Sequence, residues 1–178
     1  MDIADSLIAH CRLKAEHENV SMVRFEQGDM RELGFEDESE AVLLLSGSFG
    51  FYDDPTNRDV LTRMVRALAP GGRVLIDVSD PSQMVVRPTQ RLWSQYGGGY
   101  GLRTTWWEPE TCTYVSEFMF IDGNGVMNTA AEPERIRFYS LPEWRALFSD
   151  AGLTMTHSLA DTKLPLLAYD RDHYGNLV

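Results

Sequence analysis

The stretch that decides the fold is residues 20–78, VSMVRFEQGDMRELGFEDESEAVLLLSGSFGFYDDPTNRDVLTRMVRALAPGGRVLIDV. Its first segment, Val20 to Gln27, sets Val20, Met22, Val23 and Phe25 among polar neighbours and stops at Gly28-Asp29, which predicts a strand ended by turn residues. Ala41-Val42-Leu43-Leu44-Leu45 is a continuous apolar run of strand length, the pattern of a parallel strand covered on both faces, and it breaks off at Ser46-Gly47-Ser48. Asp53-Asp54-Pro55 supplies a cap and a first-turn proline, after which Val60, Leu61, Met64, Val65 and Leu68 make one apolar stripe that ends at Pro70-Gly71-Gly72. Arg73 to Val78 is another buried strand by composition. Strand, helix and strand with short connections predict a right-handed parallel crossover, hence an α/β sheet.

Upstream, Leu7, Ile8, Cys11 and Ala15 recur at helical spacing between Ala4 and about Glu18 and predict an amphipathic helix. Only Met1-Asp2-Ile3 precedes it, so the first strand and the glycine-rich turn that such sheets present to a cofactor have no counterpart. The expectation is an incomplete, mostly parallel sheet in a chain truncated at its N-terminus.

Downstream of Asp80-Pro81 the texture changes. Met84 to Gly101 is mixed and glycine-rich, with Tyr96-Gly97-Gly98-Gly99-Tyr100-Gly101 expected as a flexible lid, since it neither follows a clear strand nor opens a helix as a phosphate cradle would. Arg103 to Tyr139 alternates aromatic, β-branched and polar residues, and Asp122-Gly123-Asn124-Gly125 predicts an antiparallel hairpin turn. Ser140-Leu141-Pro142-Glu143 is a capping box opening a helix with the face Leu141, Trp144, Leu147, Phe148 and Ala151, closed by Gly152. Leu153 to Leu159 and the final Asn176-Leu177-Val178 are expected as strands, the last cut by the chain end. The whole is expected as one domain: a partial cofactor half over 1–80, a β insertion or substrate lid over 81–139, and a C-terminal helix and strands over 140–178.

Composition narrows the function. The 178 residues include 43% hydrophobic and 24% charged residues, enough for a real core, and the net charge of −11 disfavours nucleic acid or anionic membrane as main partner. Cys11 and Cys112 show neither a disulfide framework nor a zinc spacing, and His10, His17, His157 and His173 have no metal-ligand spacing, so no metal site is expected. No apolar run approaches the ~20 residues of a membrane span. A cytoplasmic protein is the expectation.

In an open parallel sheet, ligands bind beyond the carboxyl ends of the strands, where loops and helix N-termini converge. Asp2 stands where a carboxylate accepts hydrogen bonds from a ribose diol, though it serves equally as a helix cap. Asp29 and Met30 end the next strand and offer a carboxylate and a thioether to a base, with a plain turn role as the alternative for Asp29. Ser46, Gly47 and Ser48 end the third, small enough for close backbone approach. Asp77 inside an apolar strand must face the ligand edge or pair with an arginine.

These residues carry a resemblance. Asp2-Ile3 before a helix, Gly28-Asp29-Met30, the loop before Ala41 to Leu45, Ser48-Phe49-Gly50-Phe51-Tyr52, Leu68-Ala69-Pro70-Gly71-Gly72-Arg73 before a strand, and Tyr139-Ser140-Leu141-Pro142-Glu143 with Ala151-Gly152-Leu153 resemble class I S-adenosylmethionine-dependent methyltransferases of the small-molecule type. The resemblance implies a Rossmann-like sheet with S-adenosylmethionine as cofactor. It implies that Asp2 and Ile3 lie at the ribose, Asp29 and Met30 at the adenine, and Ser46, Ser48 and Phe49 near the methionine part and reacting methyl. Tyr52, Tyr100, Trp106, Trp107 and Tyr139 are the candidates for an acceptor pocket, the tryptophan pair being equally suited to hairpin core or a homodimer surface. No residue stands out as a base. The expected activity is methyl transfer to a small molecule, with cofactor binding impaired by the missing loop. The alternatives are a dinucleotide-dependent oxidoreductase and a non-catalytic binding or dimerisation module.

Overall fold

The structure, a computed structural model, describes residues 1–85, 89–159 and 176–177. Its elements in chain order are α1 (Asp5–His17), a 3-10 turn (Met30–Glu32), β1 (Ser39–Leu44), α2 (Asp54–Arg66), β2 (Leu68–Ile76), β3 (Val78–Ser79), α3 (Pro81–Val85), β4 (Gln90–Tyr96), β5 (Gly99–Glu108), β6 (Thr113–Ile121), β7 (Met127–Thr129), β8 (Glu134–Arg137), α4 (Leu141–Asp150) and β9 (Asn176–Leu177). They fall into two compact units, Met1–Val42 with Arg58–Val74, and Leu43–Asn57 with Leu75–Val178.

The crossover forms as its pattern predicts. Asp53 accepts the Thr56 N–H at 3.0 Å as a helix cap, and the stripe Val60, Leu61 and Met64 is buried to 3% exposure or less. Strands β1 and β2 pair. The Ser39 N–H donates to the Ala67 carbonyl at 2.9 Å, and further along the Asp77 N–H donates to the Leu44 carbonyl at 2.8 Å, so both strands advance in the same sense. Ala41, Leu43 and Leu45 are exposed while Val42 and Leu44 are half-buried, so this apolar run is covered on one face instead of the two expected.

In the first unit, α1 buries Ile8 with Cys11 and Ala15 half-buried, whereas Leu7 is exposed. The expected strand from Val20 to Gln27 reduces to a single parallel bridge between Gln27 and Asp2. A strand needs a neighbour along its length, and only the residues around Asp2 supply one.

The second unit is dominated by an antiparallel sheet in the order β4-β5-β6-β7, with β8 also paired to β6. The sheets as a whole are thus partly parallel and partly antiparallel. The glycine run expected as a lid is a hairpin turn: Tyr96 pairs with Gly99, and the two residues between, Gly97 and Gly98, have φ of 48° and 90°, the double positive angle that a two-residue turn between twisted strands requires. Asp122 closes the second hairpin, its carboxylate accepting the Asn124 and Val126 N–H groups at 2.9 and 2.8 Å. The capping box at Ser140 and Glu143 opens α4, which buries Trp144 and Leu147. Leu153 to Ser158 forms no strand. Asn176–Leu177 does, pairing antiparallel with Val78–Ser79, while Val178 lies outside the described residues. No described helix is long and apolar enough to cross a membrane.

Gly50 marks the closest backbone approach in this unit. At φ of 100° its carbonyl accepts the Arg137 N–H at 2.8 Å, and an added Cβ would lie 2.1 Å from the Arg137 carbonyl oxygen. Gly50→Ala should destabilise by at least about 2 kcal/mol, against about 1 kcal/mol for Gly125→Ala, where only the backbone angle is strained. Urea midpoints of the two variants check this, and equal losses would contradict the close approach.

Candidate functional site

In the first unit the two acids singled out in the sequence come to the same end of adjacent segments. The Asp2 N–H donates to the Glu26 carbonyl at 3.1 Å and the Gly28 N–H to the Asp2 carbonyl at 3.0 Å, so Asp2 lies beside Gln27, two residues before Asp29. Their side chains are engaged differently. One Asp2 oxygen accepts the Ala4 N–H at 2.8 Å where the chain enters α1. Asp29 caps the 3-10 turn by accepting the Arg31 N–H at 2.8 Å, and its carboxylate receives the Arg31 guanidinium at 2.5 to 3.1 Å. The turn role and a charge partner therefore already occupy Asp29. Met30 is half-buried and Ile3 exposed.

In the second unit the tip of β1 makes a tight turn. Ser46 and Gly47 both have positive φ, 62° and 70°, an angle that is uncommon for serine. Asp77 holds it in place: its carboxylate accepts the Ser46 N–H at 3.2 Å and its carbonyl the Gly47 N–H at 3.0 Å. The buried Asp77 carboxylate is thus paired with backbone N–H, not with the expected arginine, and its Oδ1 has no partner among the described residues. The Ser48 hydroxyl turns back to donate to the Leu45 carbonyl at 2.9 Å.

Beside this turn lies a cavity of about 270 Å³. Ser46, Gly47 and Phe49 form one wall, with Val78, Ser79 and Met84 next to them. Arg103, Tyr114 and Ile136 come from one face of the antiparallel sheet, and Arg137, Phe138, Tyr139 and Trp144 complete the lining. Phe49, Tyr139 and Trp144 pack ring to ring, with centroids 4.9 to 5.7 Å apart, and Tyr114 stacks on Phe138 at 5.7 Å.

Of the sequence candidates for the acceptor pocket, Tyr139 lines this cavity and Tyr52, Trp106 and Trp107 do not. The strand period explains the tryptophans. Trp107 pairs with Tyr114 and shares the face of Arg103, packing behind Phe138 at 6.0 Å, whereas Trp106 pairs with Val115 on the opposite face and points its indole N–H to Glu108 at 3.4 Å. Tyr52 is held by Asn57, whose amide donates to its carbonyl at 2.7 Å. Among the cofactor candidates, Ser46 and Phe49 line the cavity and Ser48 does not. Arg103, Tyr114, Phe138 and Trp144 went unnoticed as lining residues. Alternation along β5 from Trp107 back to Arg103 was the one signal that could have found the first.

Electrostatics fix the hub of this wall. The Tyr139 hydroxyl donates to Asp54 Oδ1 at 2.7 Å and accepts from the Asn57 amide at 3.0 Å. Burial and the bond to Asp54 push its ionisation well above the ordinary tyrosine range, so it stays a neutral donor. Burial works against the Arg137 charge, but Glu143 and Asp54 outweigh it, and the guanidinium also covers the Tyr139 ring at 4.5 Å. Among the described residues no cluster of three His, Cys, Asp or Glu side chains could hold a metal ion.

Residues 1–72 match the sequence family described as "Methyltransferase domain". Among solved structures, an S-adenosylmethionine-dependent methyltransferase from Clostridium acetobutylicum superposes with a TM-score of 0.79 at 10% identity, over 98% of this chain and 70% of its own. The CcbJ methyltransferase from Streptomyces caelestis gives 0.79 at 17% identity, over 97% and 69%. CalS10, an amino pentose methyltransferase from Micromonospora echinaspora solved with S-adenosylmethionine bound, gives 0.59 at 18%, over 94% and 69%. Among curated proteins none matches. The fold is that of S-adenosylmethionine-dependent methyltransferases, with residues 1–72 matching the methyltransferase-domain family, and nothing in these comparisons favours the oxidoreductase or the non-catalytic module.

Glu143 gives this wall a pH signature. Burial raises its pKa, but the Ser140 hydrogen bonds and Arg137 outweigh that and leave it below the ordinary 4.5. A depressed carboxylate stabilises the fold above its unfolded pKa and loses that contribution as pH falls through its folded value. Between pH 6 and pH 3 the wild-type urea midpoint should therefore fall further than that of Glu143→Gln; parallel declines would contradict the assignment.

Proposed function

We propose that the protein transfers a methyl group from S-adenosylmethionine to a small molecule held in the cavity beside Ser46, Gly47 and Phe49. The observation that carries this is the position of that cavity: it opens at the turn ending β1, the segment that by resemblance lies near the reacting methyl. Its about 270 Å³ lies just below the range of about 300–1,000 Å³ usual for drug-sized ligands, which suits a small metabolite.

The residues present fit the cofactor in part. Asp2 spends one oxygen on Ala4 and has the second available for a ribose hydroxyl. Asp29 is committed to Arg31, so Met30 and the neighbouring backbone are the better candidates for the adenine. Gly47 has open space where a Cβ would stand, which lets the Ser46-Gly47 backbone approach a ligand. When bound, S-adenosylmethionine supplies a methyl group already activated on a sulfonium.

What the chain adds is position and dryness. An acceptor lone pair must lie in line with the carbon–sulfur bond that breaks, and the packed rings of Phe49, Tyr139 and Trp144 hold the acceptor while excluding water. Tyr139, neutral and hydrogen-bonded to Asp54, orients the acceptor and does not take its proton. The two free cysteines suit a reducing, cytoplasmic setting.

Calorimetric titration with S-adenosylmethionine tests the reading. Binding by the wild-type chain, weakened about 10- to 100-fold in Asp2→Ala through loss of a charged hydrogen bond, is expected. No binding, or binding indifferent to Asp2, would overturn it.

A further inference from the structure

Two hydrogen-bond donors in the cavity wall, Arg103 and Trp144, have spare capacity. The chain carries a net charge of −11, yet among the described residues the lining contains two arginines and no aspartate or glutamate. Arg137 is neutralised by Glu143 and Asp54 and also donates to the Phe138 carbonyl. Arg103 is paired more weakly: its Nε–H donates to the buried Ser116 hydroxyl at 2.7 Å, and its ion pair with the half-exposed Glu134 spans 3.9 Å. The Ser116 bond, together with the Tyr114 ring 5.8 Å beneath the guanidinium, holds the charged head at the cavity wall. Trp144 lines the same cavity at 3% exposure, and its indole Nε1–H has no hydrogen-bond partner. A buried donor left unmade is expensive, about 1–3 kcal/mol, and such a group in a cavity wall is where a ligand oxygen is wanted.

We infer that the acceptor molecule is an organic anion: a carboxylate or phosphate that pairs with Arg103, on a body whose hydrogen-bond acceptor takes the Trp144 indole N–H. This rests on the cavity being the acceptor pocket. The remaining wall agrees, because the Tyr114–Phe138 and Phe49–Tyr139 ring pairs offer faces to a planar or ring-shaped body and supply no second charge. A cationic acceptor would meet Arg103 with no carboxylate among the described lining residues to offset the repulsion.

Benzoate and its uncharged counterpart benzamide are small enough to serve as probes, with phenyl phosphate as a third arm. In titrations followed by the indole N–H resonances of uniformly ¹⁵N-labelled protein, benzoate or phenyl phosphate should shift the Trp144 signal and bind at least tenfold tighter than benzamide. Whichever anion binds tighter identifies the headgroup. Arg103→Met should remove that preference and Arg103→Lys should keep most of it. Trp144→Phe, which preserves the ring packing, should weaken all three probes by about 3- to 10-fold through loss of one hydrogen bond. Benzamide binding as well as the anions, no binding by any probe, or an anion preference that survives in Arg103→Met would each overturn the inference. A parallel titration with S-adenosylmethionine separates the two ideas: loss of anion preference with cofactor binding intact sinks this inference alone, whereas anion preference without cofactor binding sinks the methyl-transfer reading and leaves an anion site.

Discussion

Asp77 ties the ends of two parallel strands together, and the cavity wall depends on that tie. Its backbone N–H extends the β1–β2 pairing to Leu44, its carbonyl takes the Gly47 N–H, and its carboxylate takes the Ser46 N–H. A serine at positive φ is an unfavourable conformation by about 1–2 kcal/mol, so the turn persists because three hydrogen bonds from one residue over-determine it. Without them the Ser46-Gly47 backbone would relax toward ordinary angles and the wall it forms would move.

A second knot lies across the same cavity, centred on Arg137. Its backbone N–H bonds Gly50, and its guanidinium reaches Asp54, Glu143 and the Phe138 carbonyl while covering the Tyr139 ring. Removing one member of such a group strands the others, because a half-buried charge or phenol that loses its partner keeps its desolvation penalty. Helix α2's first turn, β8 and the first turn of α4 are thereby fixed to one another within the second unit. Tyr139 is rigid in consequence, which suits a residue that positions a ligand and leaves the chemistry to alignment.

Much of this was legible locally. The capping box at Ser140-Glu143, the proline-led helix after Asp53, and the turn at Asp122 each depend on neighbours within five residues, and each formed as its residues demanded. Where the sequence misled, the missing information was a partner. The Val20–Gln27 pattern is that of a strand, but pairing reaches only Gln27; Ala41 to Leu45 is apolar on both sides, but only one side is covered. The glycines from 97 to 99 look mobile in isolation and are a tight turn because strands flank them on both sides.

The candidate site divides in the same way. By itself the sequence determined where the apolar run Ala41 to Leu45 gives way to turn residues, a local signal, and so it named Ser46, while Tyr139 was named for its aromatic ring. Only the tertiary structure decided that Trp106 and Trp107 face opposite sides of a sheet, that Arg31 already holds Asp29, and that Arg103 and Trp144 share a cavity although 41 residues separate them in the chain. Pairing register, charge partnership and cavity closure are set by contacts between segments distant in sequence, and no pattern within one segment encodes them.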